Sequence, residues 1–431
     1  MTATSGNMFT YSFHFDDRSV DQNKIRIYGL DADNKSVCIT INNFTTLVVI
    51  ELPDRIRENG RWKDIIWGPR DALSKNYHYK EPLHDGQFPF PPNSRIKLLA
   101  EYICDKMGVA HSPSNFVFGY RKKLYSAQTK SGSKDNLFPV MYCMFAARKH
   151  VYTLKRVLAA PIRTNKLPAV RLKLHHANAD DVMQLVSVRD LPTAGWIKYE
   201  GKSPRHQDTL ANQEIVCDYT KLASSKSKFA SKNVNPLIMS FDIEAYSHSP
   251  GKFPNADHPQ DKVFMISCVF IRNSGDGVER EVLLTLGNPR DEDVGAECIR
   301  FKSEGSLIEG FSQIIQDENP QVITGWNILG FDIEYLIKRS KMTGAFDELA
   351  LAGMHRTFGT REEKVIKWKS SAYKTQEFQY LEWEGRVIVD LLPFVRRDHK
   401  LDNYKLDTVG KHFLGGDGKE DLPVKELFKC Y

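Results

Sequence analysis

The feature that most constrains this chain is a short apolar segment, Leu237–Phe241, that runs directly into Asp242 and Glu244. Residues i and i+2 of a strand point to the same face, so both carboxylates would project together from the end of a buried strand. Two carboxylates held this close repel each other, and a divalent cation relieves the repulsion. The segment predicts a metal-binding sheet edge, although an Asp-x-Glu triplet alone also fits a solvated strand end.

Predicted strands and helices alternate after this segment, which is typical of an α/β domain. The apolar period predicts a helix over Glu304–Asp317, with Pro320 just beyond its end. Further strands are predicted at 263–271, 282–286 and 321–325, and a second helix at 332–341.

A second polar site, Asn327, Phe331 and Asp332, follows one of these strands and opens the next helix. An Asp after a strand is a common helix cap. Converging carboxylates also suit phosphodiester hydrolysis by two Mg²⁺ ions, which activate a water and stabilise the leaving oxygen. Asp242 and Glu244 would hold the first ion, and Asp332 would complete the site, partly through water. Asn327 by hydrogen bonding and Phe331 by stacking would bind the 3′ nucleotide.

The first half of the chain is predicted to be rich in strands. Lys24–Leu30 and Ser36–Ile41 alternate around Asp31–Asn34, which predicts a hairpin. The Asp31–Asn34 run lacks the glycine and glutamate of a calcium loop, so turn chemistry explains it better. An amphipathic helix is predicted over Arg95–Met107, and strands again over 168–200.

A Ser/Lys-rich run near 221–232 has little to bury and indicates an exposed linker. We therefore predict a β-rich N-terminal domain over 1–232 and an α/β domain over 233–431. A length of 431 residues supports two or three domains. The net charge of +6 permits nucleic-acid binding without requiring it. Basic clusters at 120–123 and 148–150 fit a solvated face better than a phosphate contact.

Cysteine spacing and hydropathy argue against two other classes of protein. The seven cysteines have neither Cys-x-x-Cys nor zinc-finger spacing, so we expect reduced thiols in an intracellular protein. The N-terminus lacks the basic and apolar regions of a signal peptide. No apolar run reaches the roughly 20 residues of a membrane helix, so we expect no membrane partner.

These segments together resemble a known family. Leu237–Tyr246 resembles the first exonuclease motif of family B DNA polymerases, and Asn319–Asn327 with Phe331 and Asp332 resembles the second. Further similar segments are Ile27–Leu30, Gly385–Leu392, Tyr404–Asp407 and His412–Gly415. The resemblance is strongest to the eukaryotic delta-type and large DNA virus branch. It implies a ribonuclease-H-like 3′–5′ exonuclease domain, of α/β class, preceded by a β-rich (α+β) N-terminal domain.

The resemblance also implies a function for the whole enzyme: template-directed DNA synthesis in replication, with removal of mispaired primer ends by two metal ions. The ions would be Mg²⁺, with Mn²⁺ as a substitute. The implied partners are a single-stranded 3′ end, a primer–template, a C-terminal polymerase portion and a sliding clamp or processivity factor. Replication would take place inside the cell, in the nucleus or in a cytoplasmic viral factory. The implied metal and catalytic residues are Asp242, Glu244 and Asp332, and the implied substrate contacts are Asn327, Phe331 and Phe241.

The chain departs from the family pattern near its end. The third exonuclease motif, a Tyr and an Asp separated by three residues, is expected beyond Gly415, and Tyr404 and Asp407 are one residue too close to form it. The motifs of the polymerase palm, fingers and thumb are also absent. We therefore expect a truncated or split polymerase. Because catalytic carboxylates act as a unit, the isolated chain should bind metal weakly and have little nuclease activity.

Two alternatives remain. His412 and Asp417 match the His-x4-Asp pattern of a sister exonuclease class, which would make the chain a stand-alone metal-dependent 3′–5′ exonuclease. The glycines around Asp417 fit a turn better. The other alternative is a non-catalytic module that binds single-stranded DNA or a protein partner.

Overall fold

The computed structural model describes residues 3–16, 22–53, 55–65, 67, 95–109, 116–122, 137–164, 167–225, 232–249, 251–272, 277–289, 295–370 and 374–415. The chain forms two compact units. Unit 1 comprises Met1–Ile27, Ile39–Ser203 and Ile215–Ala230, and unit 2 comprises Tyr28–Cys38, Pro204–Glu214 and Ser231–Tyr431. Residues 226–231 of the predicted linker lie outside the described residues, and the linear domain boundary stays a prediction.

Strands predominate in the described part of the first 225 residues. They are β1 (Ala3–Asp16), β2 (Lys24–Leu30), β3 (Ser36–Asn42), β4 (Thr46–Glu51), β5 (Arg55–Glu58), β6 (Arg61–Asp64), β7 (Phe116–Lys122), β8 (Leu137–Phe145), β9 (Ile162–Thr164), β10 (Leu167–Val170), β11 (Lys173–His175), β12 (Gly195–Lys202), β13 (Gln213–Asp218) and β14 (Ala223–Ser224). The helices are α1 (Arg95–Met107), α2 (Arg148–Leu158) and α3 (Asp181–Arg189), with a 3-10 turn at Tyr219–Lys221.

Two larger sheets organise these strands. One has the order β1-β2-β3-β13-β12-β14, and β1 also pairs with β12, so the sheet closes on itself. The other has the order β11-β4-β8-β7. Helices α1 and α2 bury their apolar faces in the same core as this second sheet, where Leu99, Ile103 and Leu154 are at most 1 % exposed.

The β2–β3 hairpin and helix α1 are confirmed, and so is the turn at Asp31, whose carboxylate accepts the backbone N–H groups of Asp33 and Lys35. The prediction of strands throughout 168–200 is wrong for α3. Asp180 caps this helix by accepting the N–H of Met183 at 3.0 Å, and Asp190 ends it in a left-handed conformation. Two local caps therefore override the strand preference of its valines.

The basic cluster at 148–150 opens α2. Arg148 donates to the Asp181 carboxylate at 2.8 Å and to the carbonyl of Ala179 at 2.7 Å. Its guanidinium therefore joins two segments of unit 1. The other basic cluster, 120–123, has side chains outside the described residues.

The second half of the chain alternates strands and helices, as predicted. Its strands are β15 (Leu237–Ala245), β16 (Val263–Arg272), β17 (Val278–Leu286), β18 (Glu297–Phe301), β19 (Val322–Gly325), β20 (Glu363–Ser370), β21 (Lys374–Leu381) and β22 (Val387–Asp390). Its helices are α4 (Glu304–Glu318), α5 (Asp332–Thr343), α6 (Phe346–Ala350), α7 (Leu391–Asp398) and α8 (Leu406–Leu414).

A six-stranded sheet of order β18-β17-β16-β15-β19-β22 forms the centre of unit 2. β15, β16 and β17 are antiparallel neighbours, whereas β19 and β22 run parallel to β15. Three antiparallel strands continued by two parallel ones are the ribonuclease-H-like arrangement. The predicted fold class is therefore confirmed, and the carboxyl ends of β15, β19 and β22 lie at one edge of the sheet.

Helix α4 packs on one face of this sheet, and α5 and α6 pack against α4 in the same core. Helix α4 begins at a capping box. Oγ of Ser303 accepts the backbone N–H of Ser306, and Oγ of Ser306 accepts the backbone N–H of Ser303. Its residues Leu307, Ile308 and Phe311 are fully buried against the apolar face of β15 and β16. Burial of each such side chain contributes about 1.5–3 kcal/mol, which fixes the sheet edge relative to the helices.

None of the helices in the described ranges is long and apolar enough to cross a lipid bilayer.

Candidate active site

Strand β15 presents two of the predicted site residues on its open face. Burial alternates along the strand, as its period of two requires: Phe241 and Ile243 lie in the core, Asp242 is exposed and Glu244 is half-buried. The strand continues to Ala245, four residues beyond the predicted end. Asp242 and Glu244 therefore belong to the regular strand.

The second predicted site lies beside β15 because β19 runs parallel to it, with Thr324 opposite Ser240. After β19 the chain turns and enters α5 at Asp332. A β-carbon at Gly325 would lie 2.7 Å from the carbonyl oxygen of Phe241 and 2.5 Å from Ile328. Glycine is therefore needed at the point where the two strand ends approach each other.

Asp332 lies deep at this edge, with 1 % of its surface exposed. Its Oδ1 accepts the backbone N–H of Ile243 at 3.2 Å. Ile243 lies between Asp242 and Glu244 in the sequence. The structure thus brings the Asp332 carboxyl to the segment of β15 that carries the other two acids.

The electrostatics of this edge are unfavourable to a carboxylate. Burial, and then the charge of Asp242, raise the pKa of Asp332 to about 7, and the charge of Asp390 adds to the effect. The N–H of Ile243 opposes the shift without cancelling it. A buried acid with a raised pKa beside a second acid is typical of functional sites, because a bound cation can supply the missing charge.

A fourth acid, Asp390, fixes the turn between β19 and α5. It ends β22 opposite Gly325, and its carboxylate accepts the N–H groups of Asn327 at 2.9 Å, Leu329 at 3.0 Å and Leu392 at 3.0 Å. Burial raises its pKa although these donors stabilise the charged form. Sequence reasoning did not assign Asp390 to the site. The sequence signal for Asp390 is the same as that for Asp242: an apolar strand followed directly by an acid.

Asn327 and Phe331 lie on this turn. Asn327 has a left-handed backbone with φ of 61°, and its side chain is half-buried. The ring of Phe331 lies 5.3 Å from that of Phe253 at an interplanar angle of 70°. Phe253, on the loop between β15 and β16, is 77 % exposed. Two aromatic rings therefore stand at the open side of the site, where bases could stack, and sequence reasoning missed Phe253.

The structure assigns the ring of Phe241 to the core. Phe241 is 3 % exposed, and its ring packs against Phe311 with centroids 5.1 Å apart. It points to the opposite face of β15 from Asp242, because neighbouring residues of a strand alternate. The predicted role of Phe241 in substrate binding would therefore depend on its backbone.

The three predicted metal ligands fit a hard divalent cation in chemistry, since carboxylate oxygens are what Mg²⁺ prefers. Among the described residues, however, the group whose ligand atoms all lie within 4.8 Å of one another is His248, His258 and Asp261. The oxygens of Asp242, Glu244 and Asp332 do not form such a group. Asp242 is exposed and Glu244 is half-buried, so both side chains have room to turn toward a cation.

His412, the residue of the alternative exonuclease pattern, lies on α8. Its ring contacts Phe413, with centroids 4.8 Å apart, and lies 6.4 Å from that of His399. Asp417 lies outside the described residues. This alternative stays a prediction.

Comparison with known proteins supports the interpretation of this sheet and its acids as part of an exonuclease domain. The family model for "DNA polymerase family B, exonuclease domain" matches residues 173–409. DNA polymerase 120R of Invertebrate iridescent virus 3 is 36 % identical over 444 aligned residues, which cover 99 % of this chain and 35 % of that protein. DNA polymerase 037L of Invertebrate iridescent virus 6 is 32 % identical, with 98 % of this chain and 33 % of that protein covered.

A solved structure extends the likeness to the fold. The family B DNA polymerase of the archaeon Pyrobaculum calidifontis superposes with a TM-score of 0.59 at 15 % identity, and the match covers 98 % of this chain and 42 % of that one. At this identity the likeness concerns the fold alone. The chain spans about a third of the length of the two iridescent virus polymerases, at 35 % and 33 %.

Proposed function

This chain belongs to DNA polymerase family B and contains its exonuclease domain, and from that premise we propose that the domain hydrolyses DNA from the 3′ end. Membership of this exonuclease family implies dependence on a divalent metal ion. The observation that supports the proposal most is the buried Asp332 beside the acidic face of β15, with its pKa raised to about 7. Such a charge is costly in an apoprotein and useful at a metal centre.

We propose Mg²⁺ as the physiological ion, in two positions, with Mn²⁺ as a substitute. Asp242, Glu244 and Asp332 would hold it. When bound, the metal lowers the pKa of a coordinated water and stabilises the leaving oxygen of the phosphodiester. The protein's own contribution is a sheet edge that fixes the acids and excludes water from one side of Asp332.

The substrate groups nearest this edge would be the last base and sugar of a DNA strand. The amide of Asn327 can donate and accept hydrogen bonds, and Asp390 fixes its backbone at 2.9 Å. The rings of Phe331 and Phe253 offer faces to unstacked bases. A frayed, single-stranded 3′ end fits this arrangement better than a duplex, because its bases are free to stack on protein rings.

At the level of the whole protein, we propose proofreading by a replicative DNA polymerase. The support is that the viral relatives are named DNA polymerases and that this chain aligns with about a third of their length. A polymerase portion, a primer–template and a sliding clamp or processivity factor would then be its partners. The site of action would be where viral or cellular DNA is replicated, in the nucleus or a cytoplasmic factory.

The test is Mg²⁺-dependent degradation of a single strand labelled at its 5′ end, so that shortening from the 3′ end appears as a ladder. The chain is assayed alone and with a polypeptide that supplies the polymerase portion of a relative. We expect a ladder in at least the second assay, and loss by several orders of magnitude in Asp242→Ala. His412→Ala is the matched control and should retain activity.

Two results would contradict the proposal. Degradation unaffected by Asp242→Ala would exclude this acid from catalysis, and loss in His412→Ala would favour the stand-alone exonuclease. If neither assay shows a ladder but the chain binds single strands equally well in Asp242→Ala, the binding-module alternative is correct.

A further inference from the structure

A second set of metal-ligating side chains lies on the loop that joins β15 to β16. His248, His258 and Asp261 each offer a ligand atom, and these atoms all lie within 4.8 Å of one another. Nδ1 of His248 is 2.7 Å from Oδ1 of Asp261, and Nδ1 of His258 is 3.5 Å from the same oxygen. We refer to these three residues as the loop cluster.

The loop cluster is held in place by helix α5. Arg339, 1 % exposed, donates to the carbonyls of Ala256 at 3.2 Å, His258 at 2.8 Å and Pro259 at 3.2 Å. The hydroxyl of Tyr335 donates to the carbonyl of Asp261 at 2.9 Å. These bonds fix the backbone of two of the three ligands before any ion arrives, as partners behind metal ligands do in known sites.

The side chain of Asp261 is also oriented from behind. It is 1 % exposed, Oδ1 accepts the N–H of His248 at 2.8 Å, and Oδ2 accepts the N–H of Asn255 at 2.8 Å. A fixed carboxylate therefore faces both imidazoles.

The Nδ1 atoms of both imidazoles lie near the same oxygen of Asp261. Their rings are stacked, with centroids 3.5 Å apart and an interplanar angle of 9°, so one ring must rotate about its Cβ–Cγ bond for both nitrogens to bind one ion. Nδ1 of His258 accepts the N–H of Gln260 at 3.3 Å, so it cannot also donate a proton to Asp261 while it does so. An acceptor nitrogen and a carboxylate oxygen thus face each other at 3.5 Å, and a cation between them would turn a repulsion into an attraction.

We propose that the loop cluster binds one Zn²⁺ ion through Nδ1 of His248, Nδ1 of His258 and Oδ1 of Asp261, with water in the fourth position. Two imidazoles and one carboxylate suit Zn²⁺ and other late first-row ions, whereas Mg²⁺ prefers all-oxygen sites. Coordination through Nδ1 leaves Nε2–H of His248 to donate to Ser249 Oγ, which lies 2.9 Å away. Ligation therefore moves the single proton of a neutral His248 ring from Nδ1 to Nε2, and no net proton is released.

The position of the ion suggests what it does. His248 and His258 bracket the loop segment that carries Phe253, whose ring contacts Phe331. An ion that joins the two ends of this segment restricts its conformations and holds Phe253 at the site. This consequence depends on the proposed exonuclease function, whereas the zinc site itself does not.

The test measures binding of Zn²⁺ to the full chain by equilibrium dialysis with metal analysis. Excess Mg²⁺ is present to occupy oxygen-rich sites. We expect one tightly bound zinc per chain, with affinity at least tenfold lower in both His248→Ala and His258→Ala. His206→Ala, an exposed histidine outside the loop, is the matched control and should bind as the wild type does. Asp242→Ala should also retain the zinc, which separates this site from the carboxylate site.

Co²⁺ in place of Zn²⁺ gives a second readout, because its visible spectrum reports nitrogen ligands and low coordination number. We expect that spectrum in the wild type and in Asp242→Ala, and its loss in His258→Ala. Circular dichroism of the zinc-free variants distinguishes lost ligation from lost folding. Absence of zinc from the wild type, or equal zinc binding in wild type and both loop histidine variants, would overturn the proposal whatever the nuclease assay shows.

Discussion

Helix α5 carries two buried ionisable groups, Asp332 at its first residue and Arg339 in its second half. They differ in how many partners the fold supplies to each. Arg339 pairs with the Glu304 carboxylate at 2.6 and 2.7 Å and also donates to three backbone carbonyls. Asp332, equally buried, accepts backbone N–H groups of Ile243 and of its own residue, but burial and then the charge of Asp242 raise its pKa.

This difference distinguishes a charge that stabilises the fold from a charge that is suited to bind a ligand, both on one helix. A buried charge whose partners are all supplied by the fold joins elements together, here α4, α5 and the loop after β15. A buried charge with too few partners lowers stability, and it is retained where a ligand supplies the rest. The comparison predicts opposite consequences when each charge is removed.

Removal of the compensated charge should have the larger effect on stability. Arg339→Met leaves Glu304 buried without its partner and three carbonyls without their donor, so we expect a loss of about 3–5 kcal/mol in the free energy of unfolding. Urea denaturation followed by circular dichroism measures it. A loss below about 1 kcal/mol would show that the pair is not what joins these elements.

Removal of the uncompensated charge should stabilise the chain in EDTA. The folded-state pKa of Asp332 is about 7, above its ordinary 3.8, so its contribution to stability is full below pH 3.8 and is lost as pH rises through 7. Three pKa units correspond to at most about 4 kcal/mol. We expect Asp332→Asn to melt at a higher temperature than the wild type at pH 8, with the gap closing as pH falls toward 5.

The effect of Asp390→Asn on the free energy of unfolding should lie between those of Arg339→Met and Asp332→Asn. The Asp390 carboxylate accepts three backbone N–H groups, and the amide of Asp390→Asn cannot accept them all, so we expect a loss of about 1–3 kcal/mol. If Asp390 positions Asn327, nuclease activity should fall while Mg²⁺ affinity stays the same. A variant with unchanged activity would restrict Asp390 to a structural role.

The smallest effect belongs to an exposed pair on the same helix. Lys338 and Glu334 are 2.7 Å apart, and both side chains are about a third exposed. Lys338→Met should change the free energy of unfolding by less than about 0.5 kcal/mol, which makes it the matched control for Arg339→Met. A larger change would mean that charge removal anywhere on α5 disturbs the unit.

The elements that the sequence predicted well are those whose signal is local. Helix α4 has a strict apolar period and ends one residue from the predicted position. β16 and β19 lie within one residue of their predicted limits, whereas β15 continues four residues beyond its apolar run. Asp242 and Glu244 could be predicted because they follow that run, and Asp332 because it opens the helix after β19.

The features that the sequence could not predict depend on contacts between distant segments. Asp390 joins the site through the parallel pairing of β22 with β19, 63 residues from Asn327 in sequence. The loop cluster depends on Arg339, which reaches the carbonyl of His258 across 81 residues. The resemblance implies that Phe241 contacts substrate, and only the packing against Phe311 shows that its ring lies in the core.

The most direct test of the central claim, that a cation balances the charge of Asp332, is proton release on Mg²⁺ binding. Calorimetric titrations at pH 6, in two buffers with different ionisation enthalpies, measure the protons released. Asp332 is mostly protonated below its pKa of about 7, so wild-type chain should release close to one proton per binding event and Asp332→Asn none. Binding of Mg²⁺ with no proton release from the wild type, or equal release from both proteins, would contradict the claim.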